Sequence, residues 1–312
     1  MAKVLVTGGA GYLGSVLVGH LLRRGYQVTV VDSLIYGGNS LLPYCSHPHF
    51  DFVTNGDVRD GRLMKELTKK HDAILPLAAL VGVKLCAQNP ETAQEVNYRS
   101  IVLLNQLRSP DQKVIWPCTN IGYGTKSGEL YCTEETPMEP ESVYGVTKVN
   151  AEQELFNSPN TISLRLATVF GPSPRMRRDL LVNDFVYRAV TEGSLVIYEK
   201  DFKRNYVHVE DVAECFCFCL ENFETMKGEA YNVGLKDVLS KAELAQKIKE
   251  YVPRLQIQYA EVDSDPDKRN YIVSTEKINR KGFTAKRSLD QGIQELIKAY
   301  RLLRHSEESW CR

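Results

Sequence analysis

The chain has no excess of charge of either sign: among 312 residues, 39 Lys and Arg balance 39 Asp and Glu. Lacking a basic surplus, it cannot release many counterions from nucleic acid or hold an anionic membrane, which argues against general nucleic-acid and lipid-surface binders. Long hydrophobic runs are missing as well. The longest, Ala73 to Val83, is 11 residues and contains Pro76, well short of the ~20 needed to cross a bilayer. The opening Met-Ala-Lys-Val-Leu-Val-Thr-Gly-Gly reaches glycine after three apolar residues, so it reads as a first strand and not as a signal peptide. A cytosolic protein is expected, with no membrane and no nucleic acid among its partners. The eight cysteines contain no CxxC pair and no regular spacing, so reduced, mostly buried thiols are expected. Cys215, Cys217 and Cys219 alternate with Phe216 and Phe218; helical positions i and i+2 face different ways, which suits core packing and not a metal. His47 and His49, flanking Pro48, lack third and fourth ligands and read as a surface loop. No metal site is expected.

What is present is alternation. Apolar, β-branched segments alternate with helical patterns through the first half, the sign of βαβ units and a parallel sheet. Strands are expected at Lys3–Thr7, Gln27–Asp32, Phe50–Asn55, Ala73–Leu77, Lys113–Cys118 and Thr161–Ala167. Helices are expected at Tyr12–Arg24, Asp60–Lys70, Pro90–Leu107 and Ser142–Phe156. The fold class that follows is α/β, a Rossmann-type doubly wound parallel sheet with a smaller, discontinuous α/β lobe. Residues 1–171 form the nucleotide domain, rejoined by the strand and helix of about 205–222, and 172–204 with 223–312 form the lobe. Ser240-x-x-Glu243 and Ser288-x-x-Gln291 read as capping boxes opening two late helices.

Between the first strand and first helix stands Thr7-Gly8-Gly9-Ala10-Gly11-Tyr12-Leu13-Gly14. Gly8, Gly11 and Gly14 recur every third residue, and such a turn lets backbone approach a pyrophosphate seated on the positive end of the following helix. Glycine-rich turns are common, so context decides: a strand precedes, an amphipathic helix follows, and Asp32 closes the second strand. A carboxylate there accepts from a ribose 2′-hydroxyl and repels a 2′-phosphate, which favours NAD over NADP; the plainer reading is that Asp32 only caps a turn. Asp57-Val58, past the third strand, fits an adenine bracket. Leu77-Ala78-Ala79 leaves small side chains where the fourth strand passes the cofactor. Either can also be ordinary strand-end chemistry.

Tyr144-Gly145-Val146-Thr147-Lys148 puts a phenol and an ammonium on one helical face. A phenol ordinarily titrates at ~10, and a nearby lysine with a cationic nicotinamide ring brings it toward neutrality. It can then remove the proton of an alcohol as hydride leaves. Alone, the YxxxK string usually marks a solvated helix face.

These motifs together resemble the extended short-chain dehydrogenase/reductases of the nucleotide-sugar epimerase/dehydratase family, over nearly the whole chain. The matching residues are the TGGAGYLG turn, Asp57-Val58, the LAA of strand four, Asn97, Thr119 with Tyr123-Gly124, Tyr144 with Lys148, and Arg204 to Val212. The resemblance implies that Thr119 hydrogen-bonds the reacting hydroxyl, Tyr144 is the base, Lys148 is its electrostatic partner and Asn97 belongs to the cofactor site. In the 4,6-dehydratases of the family, Asp and Glu follow the catalytic Ser/Thr; here Asn120 and Ile121 do, and neither is an acid or base. Net hydride chemistry at C4 remains.

Pro76 to Gly82, Arg165 to Arg177, Asp179 to Phe185 and Asp265 to Arg269 further resemble a subgroup containing GDP-manno-heptose 4-dehydrogenases. That implies a tightly bound NAD(H), a GDP-linked sugar and a small 2-keto acid as hydride acceptor. By the same likeness Arg204 and Arg269 hold the diphosphate, Asn183 meets phosphate or sugar, and Val81, Gly82 and Lys84 border the sugar beside Asn120 and Ile121. Arg175 and Arg177 can reach phosphate or sugar, though a solvated loop explains them equally. The family habit is a homodimer through the helices near 90–107 and 142–156. Two alternatives stand beside the 4-dehydrogenase: a C4 epimerase, and a non-catalytic dinucleotide sensor, against which the Thr/Tyr/Lys set argues.

Overall fold

The computed structural model describes residues 1–124, 131–260 and 272–307. The chain opens with β1 (Lys3–Thr7), α1 (Tyr12–Arg23), β2 (Gln27–Val31), β3 (Phe50–Val53), α2 (Gly61–Thr68) and β4 (Ala73–Pro76). There follow α3 (Val83–Gln88), α4 (Pro90–Gln94), α5 (Ser100–Leu107), β5 (Lys113–Thr119), β6 (Tyr131–Cys132) and α6 (Val143–Phe156). Next come β7 (Thr161–Leu166), β8 (Thr168–Phe170), α7 (Leu181–Thr191), β9 (Ser194–Ile197) and β10 (Lys203–His208). The remainder is α8 (Val209–Glu221), α9 (Phe223–Met226), β11 (Glu229–Val233), β12 (Val238–Ser240), α10 (Lys241–Tyr251), β13 (Gln256–Tyr259), β14 (Ile272–Val273), α11 (Glu276–Arg280) and α12 (Leu289–Glu307).

Seven strands form one sheet in the order β11-β7-β5-β4-β1-β2-β3, and every pairing is parallel. Strands β4 and β7 are buried along their whole length, as a parallel sheet covered on both faces requires. Strand alternation sorts the side chains. Ile115 joins the cluster holding α1 and α8 through Leu17, Leu21, Val212 and Phe216. Val114, Trp116 and Cys118 join the opposite one, with Met64, Ile101, Leu104, Ala151 and Leu155 from α2, α5 and α6. The strand order reverses between β1 and β4, and in doubly wound sheets that reversal opens the ligand crevice.

A second core packs α7, α10 and α12 together through Val182, Phe185, Val186, Leu244, Ile248, Ile293 and Leu296. It rests on the three-stranded sheet β12-β10-β8. Ser240 and Glu243 form the expected capping box of α10, and Ser288 and Gln291 exchange the same two bonds ahead of α12. Among the described residues no helix is long and apolar enough to cross a membrane.

Three boundaries differ from the sequence reading. Strand β11, expected in the lobe, is the edge of the main sheet beside β7. Strand β10, expected to rejoin the nucleotide domain, pairs with β8 and β12; only α8 returns, packing on α1. Strand β10 carries buried Arg204, Asn205 and His208, and Asn205 bonds Val273 N of β14 and Leu235 O, partners that lie outside the main sheet. The helix expected over Pro90–Leu107 is broken by a π-turn at Glu95–Arg99, and such turns concentrate at functional sites.

Candidate active site

The glycine turn lies at the strand-order reversal. Gly8 adopts φ +70°, and a Cβ there would stand 2.6 Å from Ala78 N. A Cβ on Gly14 would stand 2.6 Å from Gly9 Cα. The turn is packed backbone against backbone, with Leu77 N donating to Thr7 O at 3.0 Å and Ala78 N to Thr7 Oγ1 at 3.2 Å. Helix α1 starts from Gly11, which offers no side chain to its first amides, so that end suits an anion. Asp32 Oδ2 accepts from Ala10 N and Oδ1 from Leu34 N, each at 2.9 Å. The carboxylate therefore does cap a turn, and it also joins the glycine loop to β2; with about four acceptor sites it keeps others for a ligand. This backbone cradle fits a dinucleotide.

Several residues expected at the cofactor are spent on the protein itself. The buried Tyr12 phenol donates to Gly171 O at 2.7 Å, tying the glycine turn to the entrance of the second lobe, and burial pushes its pKa well up. Leu13 packs against the same core. Asp57 is gripped by Arg59 at 2.6 Å, whose hydrogen bonds hold the carboxyl below its ordinary range; Val58 beside it is buried. Asn97 sits in the π-turn, 0 % exposed. Its Oδ1 accepts from Leu80 N at 2.7 Å, and its Nδ2 donates to Leu80 O at 2.9 Å and Thr147 Oγ1 at 3.3 Å. Asn97 thus fixes the loop after β4 to α6. Buried polar groups claim partners wherever the chain supplies them, and a motif cannot show that.

The expected catalytic residues stand on two elements that pack together, Thr119 at the end of β5 and Tyr144 and Lys148 on α6. Thr119 ends β5 and caps the 3₁₀ turn Asn120–Tyr123, its Oγ1 accepting from Ile121 N at 3.3 Å. Ser142 Oγ accepts from Gly145 N at 3.1 Å and starts α6. A Cβ at Gly145 would lie 3.5 Å from Ile121 Cγ2 and 3.0 Å from Pro140 Cβ, so glycine lets α6 settle on the Thr119–Ile121 turn. One turn on, Lys148 is 3 % exposed with Nζ 3.5 Å above the centre of the Trp116 ring. Burial, with partial relief from neighbouring groups, pushes its pKa down to about 7.

On the substrate side, Arg204 is buried and lines a small cleft with Asn120, Ala167, Thr168, Lys203, Asn205 and Val273. Arg177 pairs with Asp179; its Nη2 would lie 4.0 Å from a Cβ at Gly82, and its charge is felt by the Tyr144 and Tyr12 phenols. The sequence reading gave Arg177 a site role and Asp179 none, although the Arg-x-Asp spacing is plain in the loop. Asn183, 0 % exposed, accepts from Gly171 N at 3.1 Å and donates to Arg177 O at 2.9 Å, so it shapes the loop that enters the second lobe. Arg175 lies over the Tyr36 ring at 4.2 Å. Val81 and Gly82 lead into α3, and Lys84 is exposed. Arg269 lies outside the described residues.

Residues 4–234 match the NAD dependent epimerase/dehydratase family. The low-salt glycan biosynthesis protein Agl12 of Haloferax volcanii is 30% identical, the alignment covering 95% of this chain and 98% of that one. A solved dTDP-glucose 4,6-dehydratase of Streptomyces venezuelae, with NAD bound, is 26% identical with a TM-score of 0.86 over 97% of this chain and 98% of its own. The UDP-glucose 4-epimerase of Thermus thermophilus, in complex with NAD, is 25% identical with a TM-score of 0.82 over 96% of this chain and 99% of its own. With the match spanning both the glycine turn and the Thr119, Tyr144 and Lys148 set, the chain belongs to the NAD-dependent epimerase/dehydratase family.

Proposed function

We propose that this enzyme oxidises C4 of a nucleotide-diphosphate sugar, a GDP-linked manno-heptose in particular. The observation that carries the reading is the seating of α6 on β5, where Cys118 Sγ reaches Lys148 O at 3.8 Å and Ile121 lies against Gly145. The reading takes Thr119, at the end of β5, to act with Tyr144 and Lys148 of α6. Tyr144 removes the proton of the sugar hydroxyl while Thr119 hydrogen-bonds the same oxygen, and the Lys148 ammonium favours the ionised phenol. NAD, when bound, supplies the hydride acceptor. The glycine turn and Asp32 hold it, with Ala78 and Ala79 leaving it room. Arg204 clamps the diphosphate, and the Arg177–Asp179 pair borders the sugar. A homodimer would form through α5 and α6.

A C4 epimerase is the second reading, favoured by the likeness to the Thermus epimerase. Elimination of water fits less well, despite the likeness to a 4,6-dehydratase, because Asn120 and Ile121 offer no acid to protonate a leaving C6 hydroxyl. The test is to incubate the enzyme with a GDP-linked manno-heptose, with and without a small 2-keto acid, and follow product mass. A product lighter by two hydrogens that needs the acceptor is expected. Loss of water sinks the argument from Asn120 and Ile121, and an isomeric product without acceptor establishes the epimerase.

Asp32→Ala is expected to raise the use of NADP relative to NAD, since the carboxylate no longer repels a 2′-phosphate. The ratio of the two kcat/KM values is the measure, because the lost bonds to Ala10 and Leu34 weaken both alike. Equal use of the two cofactors by the unaltered enzyme contradicts the assignment.

A further inference from the structure

A buried ammonium normally has a carboxylate beside it, because removing a charge from water without a partner is costly. Lys148 has none. Its Nζ makes no hydrogen bond or ion pair among the described residues, and the groups around it are accounted for in turn. Glu152, one turn further along α6, is claimed by Arg165 Nη2 at 2.7 Å and by the Ser163 hydroxyl. Cys86 on α3 and Cys118 on β5 both face the lysine, but burial pushes the Cys86 thiol up to about 11 and Cys118 higher still, so neither carries a charge near neutrality. Tyr144 precedes it by one turn and is the group it is meant to serve. What remains is the face of Trp116, 3.5 Å below the ammonium.

Trp116 is unusual in its own right. It is fully buried, and its indole Nε1 makes no hydrogen bond, whereas buried tryptophans usually satisfy that donor. A phenylalanine would fill the same apolar layer without an unmet N–H. The indole does offer a larger negative face, the strongest among aromatic side chains for a cation. Strand alternation puts Trp116 on the α6 side of β5, and Thr119 ends the same strand three residues on.

We propose that Trp116 is the positioning residue of the catalytic lysine: its indole face keeps the Lys148 ammonium charged and fixes where Nζ points. This deepens the reading of Lys148 given above and rests on it. The ring then stands where other proteins would place a counter-ion. Because the ring carries no net charge, it supports the cation without forming an ion pair that would tie up Nζ and compete with a ligand hydroxyl.

The chain has two tryptophans, so Trp310→Phe leaves Trp116 as the sole indole fluorophore. In that full-length protein, tryptophan emission is expected to titrate in one step between about pH 6 and 8, where the ammonium above the ring loses its proton. The step should vanish when Lys148→Met is added. Emission that stays flat overturns the proposal without requiring any core substitution to fold, and so does a step that survives in a folded Lys148→Met variant. As a second arm, Trp116→Leu should lower kcat/KM ~3- to 30-fold relative to the parent at pH 8. The deficit should shrink toward pH 6, where the lysine is charged in both proteins, and Trp116→Phe should recover part of it. A deficit that does not vary with pH also overturns the role. Near-normal turnover in Lys148→Met sinks a different claim, the catalytic reading of Lys148, while the emission step still reports whether the indole senses the ammonium.

Discussion

Tyr144→Phe is expected to lower kcat ~10²–10⁴-fold, the usual cost of removing a general base, while cofactor and sugar-nucleotide affinities stay close to those of the unaltered enzyme. The substitution deletes one oxygen and keeps the ring that starts α6, so the seating of Gly145 against Ile121 and Pro140 is retained. Steady-state kinetics and calorimetric binding together separate the possibilities. A loss confined to KM makes Tyr144 a binding group and not a base, and near-normal turnover removes it from the mechanism.

Glu152→Ala is expected to have the largest effect on stability. Glu152 and Arg165 form an ion pair with side chains only 4% and 9% exposed. Arg165 also donates to the Tyr123 phenol at 3.1 Å and to Glu134 O at 2.9 Å, and Tyr123 donates in turn to Asn232 Oδ1 at 2.7 Å. Removing the carboxylate strands a buried guanidinium, which typically costs ~3–5 kcal/mol, and for a protein of this size lowers Tm by about 10 °C. Replacing both partners together, Glu152→Leu with Arg165→Met, should recover much of the loss because no unpaired charge is left. A single Glu152→Ala variant melting within ~2 °C of the parent would show that the pair does not support the fold.

The parts of this molecule legible in the sequence are those whose cause is local. The β1–α1–β2 unit follows from hydrophobic period and a glycine turn, α10 from Ser240 and Glu243, and α6 from Ser142 and the helical run behind it. The parts missed are set by distant partners. Nothing within Glu229–Val233 says that Thr161–Leu166 will be its neighbour, and nothing near Asn97 says that both ends of its amide will be spent on Leu80 and Thr147. Nothing in the local sequence says that Asn183 will bond Gly171 and Arg177 O, or that Arg59 will pair with Asp57. The roles of Thr119, Tyr144 and Lys148 came from motif spacing and family likeness, but the indole under Lys148 depends on which face of β5 meets α6, a tertiary fact.

The place of β11 bears on how the protein is made. The sheet's outermost strand on that side is separated from β7 by the whole of β8 through α9, so on the ribosome Thr161–Leu166 is finished well before the strand that covers it. In that interval β7 presents an open row of N–H and C=O groups, the kind of edge that recruits strands from other chains. A chain interrupted between the two cannot close its own nucleotide domain, however complete the glycine turn and the helices behind it. The run from β8 through α9 is therefore a detour that nascent chains must complete before that edge is covered, and cover by a chaperone counts most while residues 167–233 are emerging.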